Sequence, residues 1–490
     1  MSRSTLFDRR DFLKFGSVAA VAALDPCARS VAQGAPPAAA DYSLRIAEGQ
    51  IDLGAGRPVT TTLYNQQFPG PLLRFTEGKR VIIDIHNDTD IPEVAHWHGQ
   101  MIPSDVDGAI EEGTPAIPPH GMRRVSFVPK PAGFRFLHTH VIAGSELSRG
   151  TYAGQAAPVY IEPKFNPGAY DREVFLILKE FEPSFSRGGD MDMDFLSGAA
   201  SGGLKKIGKQ ADERNEHGLG QKGFEVEYKS FCINGKKLGH GEPVRVKSGE
   251  RVLFHVLNAS ASEIRSLALP GHTFRIVALD GNPVPTPADV PVLWLGTAER
   301  ISALVEMRHP GVWVLGDLDD DDRGRGMGIV VEYAGQSGKP KWEKPKKYLW
   351  DYSIFGRAAS NLAPVDETIE LLIVKNNAAL AGFNQWTLNG EAFSMQTMRP
   401  MYTLQAGRRY RLKFRNASDD IHPLHLHRHS FELTQVHGRP TAGVVKDVVM
   451  LAGFQELAVD FVADNPGLTL FHCHQQLHMD FGFMALFKYA

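Results

Sequence analysis

Near the C-terminus stands the run His472-Cys473-His474-Gln475-Gln476-Leu477-His478-Met479-Asp480, followed by Phe481-Gly482-Phe483-Met484. Along an extended strand successive side chains alternate between faces, so His472 and His474 project one way and Cys473 the other. A thiolate on one face and two imidazoles on the other can hold two different metal centres joined by adjacent covalent links. Soft thiolate plus imidazole suits copper, and a Cys with two His and a weak or absent axial partner describes a blue-copper electron-transfer site. His478, five residues beyond Cys473, is placed to supply one of those imidazoles. A structural zinc site is the competing chemistry, but it wants four ligands in a closed tetrahedron. The chain has 19 His, most of them in four short clusters, far more than zinc needs.

The other three clusters are His96-Trp97-His98-Gly99, His138-Thr139-His140 and His422-Pro423-Leu424-His425-Leu426-His427-Arg428-His429. Each His-x-His on a strand offers two imidazoles side by side. A lone His is more often a surface or satisfied core residue, and His86, His120, His217, His240, His255, His309 and His437 belong to that class.

The elements that position these clusters are legible as an internal repeat. Gly78-Lys79-Arg80-Val81-Ile82-Ile83-Asp84-Ile85-His86-Asn87 is echoed by Gly249–Asn258 and by Gly407–Asn416, each a turn followed by a strand. In the third copy Tyr410, Leu412 and Phe414 alternate with Arg and Lys, the pattern of a half-buried strand. The copies share an ending too: Gly133–His140, Gly311–Leu318 and Gly467–His474 superimpose without gaps. The middle copy lacks both His, and the first has Thr139 where the third has Cys473. Only the third repeat can therefore hold a thiolate metal, and only the first and third supply His pairs.

Short strands, Gly and Pro turns and little helical periodicity predict an all-β chain of β-sandwich domains. At 490 residues the chain is too long for one core, and a prior of about 150 residues per domain suggests three. We place them at 40–165, 168–336 and 345–490, the last after the linker Lys339–Pro345. Ser186 to Gly223, rich in Gly and charge, reads as an insertion or long loop.

Composition is that of a soluble globular protein, with 43% hydrophobic and 22% charged residues. A net charge of only -3 points neither to nucleic acid nor to an anionic membrane surface. Three Cys (Cys27, Cys232 and Cys473) make no disulfide framework, which leaves Cys473 free to be a ligand. Asp8-Arg9-Arg10-Asp11-Phe12-Leu13-Lys14 and the short apolar run behind it resemble a twin-arginine export signal. Residues 1–32 are then a leader read by the twin-arginine translocation machinery, with Ser30-Val31-Ala32 as the cleavage site and the folded product periplasmic or secreted. The apolar run is too short for a stable membrane anchor.

The four clusters, in this order, resemble those of the three-domain multicopper oxidases, the laccase-like family, over essentially the whole mature chain. That resemblance implies cupredoxin-like Greek-key β-sandwich domains and four copper ions: one type 1, one type 2 and two type 3. By it His96 and His425 hold the type 2 copper, His98, His138 and His474 one type 3 copper, and His140, His427 and His472 the other. His422, Cys473 and His478 hold the type 1 copper, and His429 matches a non-ligand position. His272, in the repeat without copper ligands, occupies the place of His429, which supports a structural role for both. Asp107 matches the family's acid beside the type 2 copper, and Asp480 an acid on the type 3 side, although Met479 stands where some relatives carry the relay Glu. A turn residue before Gly108 is the alternative for Asp107, but the match of the whole segment favours a proton relay there, whereas Asp480 could equally cap a turn. The family's weak axial ligand lies ten residues after the Cys, which here is Phe483; strand alternation turns Met484 to the other face. A carbon side chain cannot donate to copper, so the implied type 1 centre is three-coordinate and of higher potential.

The implied function is one-electron oxidation of phenols or aromatic amines coupled to four-electron reduction of dioxygen to water. Its partners are dioxygen and a small aromatic reductant or a metal ion. A metallo-oxidase acting on cuprous ions is the alternative, for which Met191 and Met193 are a slight hint. An exported, non-catalytic cupredoxin-like assembly protein is the reading from another class, but such relatives lose their copper ligands and this chain retains them outside domain two. Copper nitrite reduction goes with a two-domain architecture and a different ligand distribution. The donor surface is expected from loops around His478 and from domain two, where Asp319 to Asp322 form an acidic run.

Overall fold

The three repeated segments each form a strand held between the same two kinds of neighbour. Val81–Asn87 runs parallel to Tyr42–Ile51 and antiparallel to Met122–Phe127. Arg251–Asn258 lies in the same way between Arg172–Ser186 and Arg300–Glu306, and Arg409–Asn416 between Glu367–Leu380 and Glu456–Val462. The structure, a computed structural model, describes residues 38–490 apart from 55, 164–169, 188–194, 215–221 and 360–361. The leader with Arg9, Arg10 and Cys27, the pair Met191 and Met193, and His217 lie outside the described residues.

The expected alternation holds in the third copy, where Tyr410, Leu412 and Phe414 are buried and the Arg and Lys between them are half-buried. It fails in the second, whose strand is buried on both faces. Val252, Phe254 and Val256 enter the largest core, while Leu257 joins a smaller core with Phe134 and Val448 from the repeats on either side. A strand covered twice reads as a continuous apolar run.

Each repeat closes as a sandwich. In the first, the sheet of Val59–Tyr64, Tyr42–Ile51, Val81–Asn87 and Met122–Phe127 packs on that of Leu73–Thr76, Ala156–Glu162, Gly133–His138 and His96–His98. Leu44, Ile83, Trp97, Phe127, Leu137 and Val159 are among the residues of their shared core. The fold is all-β with cupredoxin-like domains, as expected. Every repeat also keeps one fully buried Asn at the end of its echoed strand. The side-chain amides of Asn87, Asn258 and Asn416 each donate to a backbone carbonyl of the following loop and to another 30 or more residues on. A buried amide needs such partners, and here they tie the loop to the sandwich.

Two strand pairs carry the His clusters. His96–His98 pairs with Gly133–His138, opposing His96 to His138; His422–Leu426 pairs with Thr469–Cys473, opposing His425 to His472 and Leu424 to Cys473. Directly opposed residues share a face. His425 and His472 therefore project together, and Cys473 projects the other way.

The segment 186–223 departs from the loop expectation, because it contains the helix Gly202–Arg214. Leu204 and Ala211 are buried, and the helix packs on the strand Glu367–Leu380. The spacing Leu204, Ile207, Ala211 is a helical stripe that the surrounding Lys and Gly obscured. Among the described residues no helix is long and apolar enough to cross a membrane.

Candidate metal centre

Cys473 Sγ lies 3.6 Å from His422 Nδ1 and 3.6 Å from His478 Nδ1, and those two nitrogens are 3.2 Å apart. The point equidistant from the three is about 2.0 Å from each, at the short end of the roughly 2.0–2.3 Å over which imidazole and thiolate bind such ions. His422 is held in the required tautomer: its Nε2 donates to Ser418 Oγ at 2.9 Å, and Ser418 donates to Asn416 Oδ1 at 2.7 Å. The buried Asn of the repeat thus reaches the metal site. Burial, then the neighbouring imidazole, hold His422 well below the usual His pKa; burial pulls His478 down to about 3. Both rings are neutral donors at physiological pH. Burial pushes the Cys473 thiol up, so an ion entering here must displace its proton.

The Phe483 ring lies over this site, and its backbone carbonyl accepts from Cys473 N. Met484 is opposed to His472 across the strand pair and packs with Leu470, Met479 and Leu486. His478 is on the short helix Gln476–Asp480, not in a loop, and is 2% exposed. Trp386 covers both imidazoles, its ring centroid 4.3 Å from that of His478 and 4.7 Å from that of His422.

Eight further imidazoles converge on the opposite face of Cys473. His98, His138 and His474 form one triad of ring nitrogens, with His98 Nδ1 and His474 Nε2 at 3.3 and 3.4 Å from His138 Nε2. His140, His427 and His472 form another, with His140 and His427 Nε2 at 3.4 and 3.0 Å from His472 Nε2. His96 and His425 lie between them, each with a buried Nε2 that has no hydrogen-bond partner. A buried, orphaned lone pair is costly unless something binds it. The far nitrogens are mostly occupied: His96 Nδ1 on Asp107 O, His138 Nδ1 on Thr139 O, His425 Nδ1 on Asp447 O and His472 Nδ1 on Cys473 O. These bonds aim the other nitrogen of each ring inward, the usual support of a metal-bound imidazole. Burial and crowding by like imidazoles keep most of the rings neutral, His425 falling to about 3. His140 is the exception, since the Glu111 carboxylate 3.5 Å from its Nδ1 outweighs burial and raises its pKa. A cavity of about 10 Å³, roughly one water in size, is lined by His138, His140, His472 and His474 together with Gln476 and Met479.

His429 is not among the convergent rings. Its Nδ1 pairs with His427 O and its Nε2 with Tyr489 OH, and His272 repeats the pattern with Pro270 O and Tyr333 OH. Both rings have no nitrogen left for a metal. In the first repeat Thr139 stands in place of Cys473 and Glu93 in place of His422. There Glu93 accepts from Thr139 and Gln155, filling with hydrogen bonds the space used for metal donors in the third.

Asp107 ends the short helix Ser104–Asp107, and Gly108 follows at φ +102°. A Cβ there would lie 2.0 Å from Ala95 O, so only Gly lets the turn approach the His96 strand. Asp107 Oδ2 reaches His427 Nδ1 at 2.9 Å and His96 Nδ1 at 3.1 Å. Glu112 adjoins it, 3.6 Å from His427 Nδ1, and accepts from Leu470 N. Burial opposes the Asp107 charge, but His96 and Arg428 outweigh it and lower its pKa; burial and the Asp107 charge raise Glu112 well above its usual value. Asp480 accepts from the amides of Ala143 and Gly144, just beyond His140, and burial pushes it up to about 7.

Sequence reasoning did not find Glu111, Glu112, Trp386, Asp447, Arg135 or Arg300. The two glutamates follow Asp107-Gly108 so closely that proximity to the motif was a usable signal. The others come from remote strands and had none.

Three family models, each described as multicopper oxidase, match residues 45–165, 205–331 and 367–490 in turn. The chain belongs to that family. Multicopper oxidase MmcO of Mycobacterium tuberculosis is 30% identical over 447 residues, covering 90% of this chain and 85% of that protein. Two solved structures show the same fold. One is the bacterial laccase-like multicopper oxidase CueO of Ochrobactrum sp., at TM-score 0.69 and 20% identity over 93% of this chain and 98% of that one. The other is a multicopper oxidase of Campylobacter jejuni, described as a metallo-oxidase, at TM-score 0.67 and 20% identity over 91% of each chain.

Proposed function

We propose that this protein is a laccase-type oxidase holding four copper ions. In this reading His422, Cys473 and His478 hold the type 1 ion and His96 with His425 the type 2 ion. His98, His138 and His474 hold one type 3 ion, and His140, His427 and His472 the other. Bound copper would supply one-electron oxidation of the donor at the thiolate site and reduction of dioxygen to water at the cluster. The observation that carries the proposal is the placement of Cys473. Its sulfur faces the first centre, and its backbone leads directly to His472 and His474, one in each triad.

The chain's own groups supply the rest. Trp386 and Phe483 exclude water from the thiolate site. Asp107 and Glu112, adjoining carboxyls with opposite pKa shifts, are suited to hold and pass a proton beside His427. Asp480, at about 7, is suited to the same task on the His140 side. Residues 1–32 would direct the folded protein through the twin-arginine route to the periplasm or outside, and Arg9→Lys with Arg10→Lys should block its export.

Phenols and aromatic amines are the donors proposed, and cuprous ion is the second reading. A cleft of about 720 Å³ is lined by Glu225, Glu263, Asp319, Asp420, Ile421 and Gln475, the last two next to His422 and His474. Burial and neighbouring acids push Glu225 up to about 8, and burial pushes Glu263 up to about 7. Arg325, Lys344, Lys346 and Lys347 line the same cleft, but the acidic side chains outnumber them and favour a cationic donor. Met395 and Met398 are exposed on the loop whose Phe393 N bonds to Gly482 O behind the thiolate site, and thioethers suit Cu(I). Oxygen uptake by the copper-loaded enzyme with a phenol, an aromatic amine and Cu(I) decides between the readings. Uptake with Cu(I) alone would overturn the laccase assignment, and absence of a blue thiolate–copper band would overturn both.

A further inference from the structure

Among the described residues the middle repeat supplies none of the clustered metal donors, yet its Arg300 and Asp280 both reach Asp447 beside the histidine cluster. We propose that Arg300 is a positioning residue for two imidazoles of the metal cluster, His98 in the triad with His138 and His474, and His425 in the pair with His96. The inference rests on the copper reading above. Arg300 is fully buried on the strand Arg300–Glu306 and forks onto the Asp447 carboxylate, Nη1 to Oδ1 at 2.6 Å and Nη2 to Oδ2 at 2.6 Å. A planar guanidinium fixes a carboxylate in orientation as well as charge, which a lysine cannot do. Asp447 Oδ1 in turn accepts from His98 Nε2 at 3.1 Å, and Asp447 O accepts from His425 Nδ1 at 2.7 Å. One residue thus sets the tautomer and tilt of two imidazoles from different repeats. His98 is left to offer Nδ1 and His425 to offer Nε2.

Three further features show that the arrangement is built in. Arg135, from the first repeat, donates to Asp447 Oδ2 at 3.0 Å and to Asp280 O. Lys446 lies 3.0 Å from Asp280 and 3.1 Å from Glu299. Three cations and three acids from all three repeats are therefore buried together with balanced charge, the condition under which buried ions are tolerated. Gly99, the residue after His98, stands at φ +78°, and a Cβ there would lie 2.6 Å from Asp447 Oδ2 and 2.7 Å from Arg300 Nη2. The glycine of the first cluster makes room for this ion pair.

The test compares the wild-type chain with Arg300→Lys, which keeps the charge but not the fork, and with Asp447→Asn, which keeps the shape. Each is loaded with Cu(II) and followed by copper content against a competing chelator, the thiolate–copper absorption and the paramagnetic resonance of the type 2 ion. We expect cluster copper affinity to fall about 10–100-fold in both variants, with a changed type 2 resonance and an unchanged thiolate absorption. Arg135→Lys, which disturbs the oxygen turned away from His98, should leave the resonance as in wild type. Wild-type resonance in Arg300→Lys and Asp447→Asn, or equal loss of thiolate and cluster copper, would overturn the inference. A wild-type chain that takes up no cluster copper would instead overturn the reading beneath it.

Discussion

The ring centroid of Phe483 lies 4.9 Å from that of His422. Met484, one residue on, is turned away because it opposes His472 across the strand pair. A hydrocarbon in the axial place leaves Cu(I) the better-accommodated state, so the thiolate centre should be an oxidising one. Phe483→Met places a thioether there without changing the strand register. Its type 1 potential should fall by at least about 59 mV, a tenfold change in a one-electron equilibrium. Redox titration of the blue band checks this, and an unchanged potential would show that the axial place is elsewhere.

Trp386, 1% exposed, seals the imidazoles of His422 and His478. Trp386→Ala should destabilise the metal-free chain by about 3–5 kcal/mol through the cavity it leaves. Where folding survives, it should also lower KM for bulky phenols by exposing the His478 edge. Denaturant unfolding and oxygen-uptake kinetics read the two effects separately.

Copper uptake at the thiolate site should depend on pH through one proton. His422 is neutral throughout the neutral range, and His478 with its pKa near 3 is too, so neither has a proton to lose. Cys473, pushed up by burial, keeps its proton until the metal displaces it. Affinity should therefore rise about tenfold per pH unit between about 5 and 8. Chelator competition followed by the blue absorption gives the slope, and a slope near three would mean that the imidazoles enter charged.

Asp107→Asn should separate the two halves of turnover. Loss of the carboxylate beside His96 and His427 should slow reoxidation by dioxygen by about 10²–10⁴-fold, the usual share of a positioned acid or base. Anaerobic bleaching of the blue band by donor should keep its wild-type rate. Equal slowing of both would place Asp107 in the scaffold alone.

Much of the site was legible because its chemistry is written in local spacing. His96-x-His98, His138-x-His140 and His472-Cys473-His474 need only the two-residue period of a strand to fix which donors share a face. Comparing the repeats then showed which domain could hold a thiolate. The same logic recognised His429 as structural, since His272 keeps its place in a repeat without metal donors. Local reasoning failed where the pattern was diluted, as in Gly202–Arg214, whose short apolar stripe is set among Lys and Gly.

By itself the sequence determined the all-β repeat and singled out the His and Cys residues that the fold brings together, because these depend on residue type and short-range alternation. Only the tertiary structure decided which nitrogen most of the imidazoles present, because that is set by the oxygen the other nitrogen meets. Those oxygens belong to Asp107, Ser418 and Asp447 as well as to neighbouring carbonyls. Folding alone also brought Arg135 and Arg300, 312 and 147 residues from Asp447 along the chain, onto its buried carboxylate. No local pattern announces such a contact, since its energy arises only when all three charges leave water together.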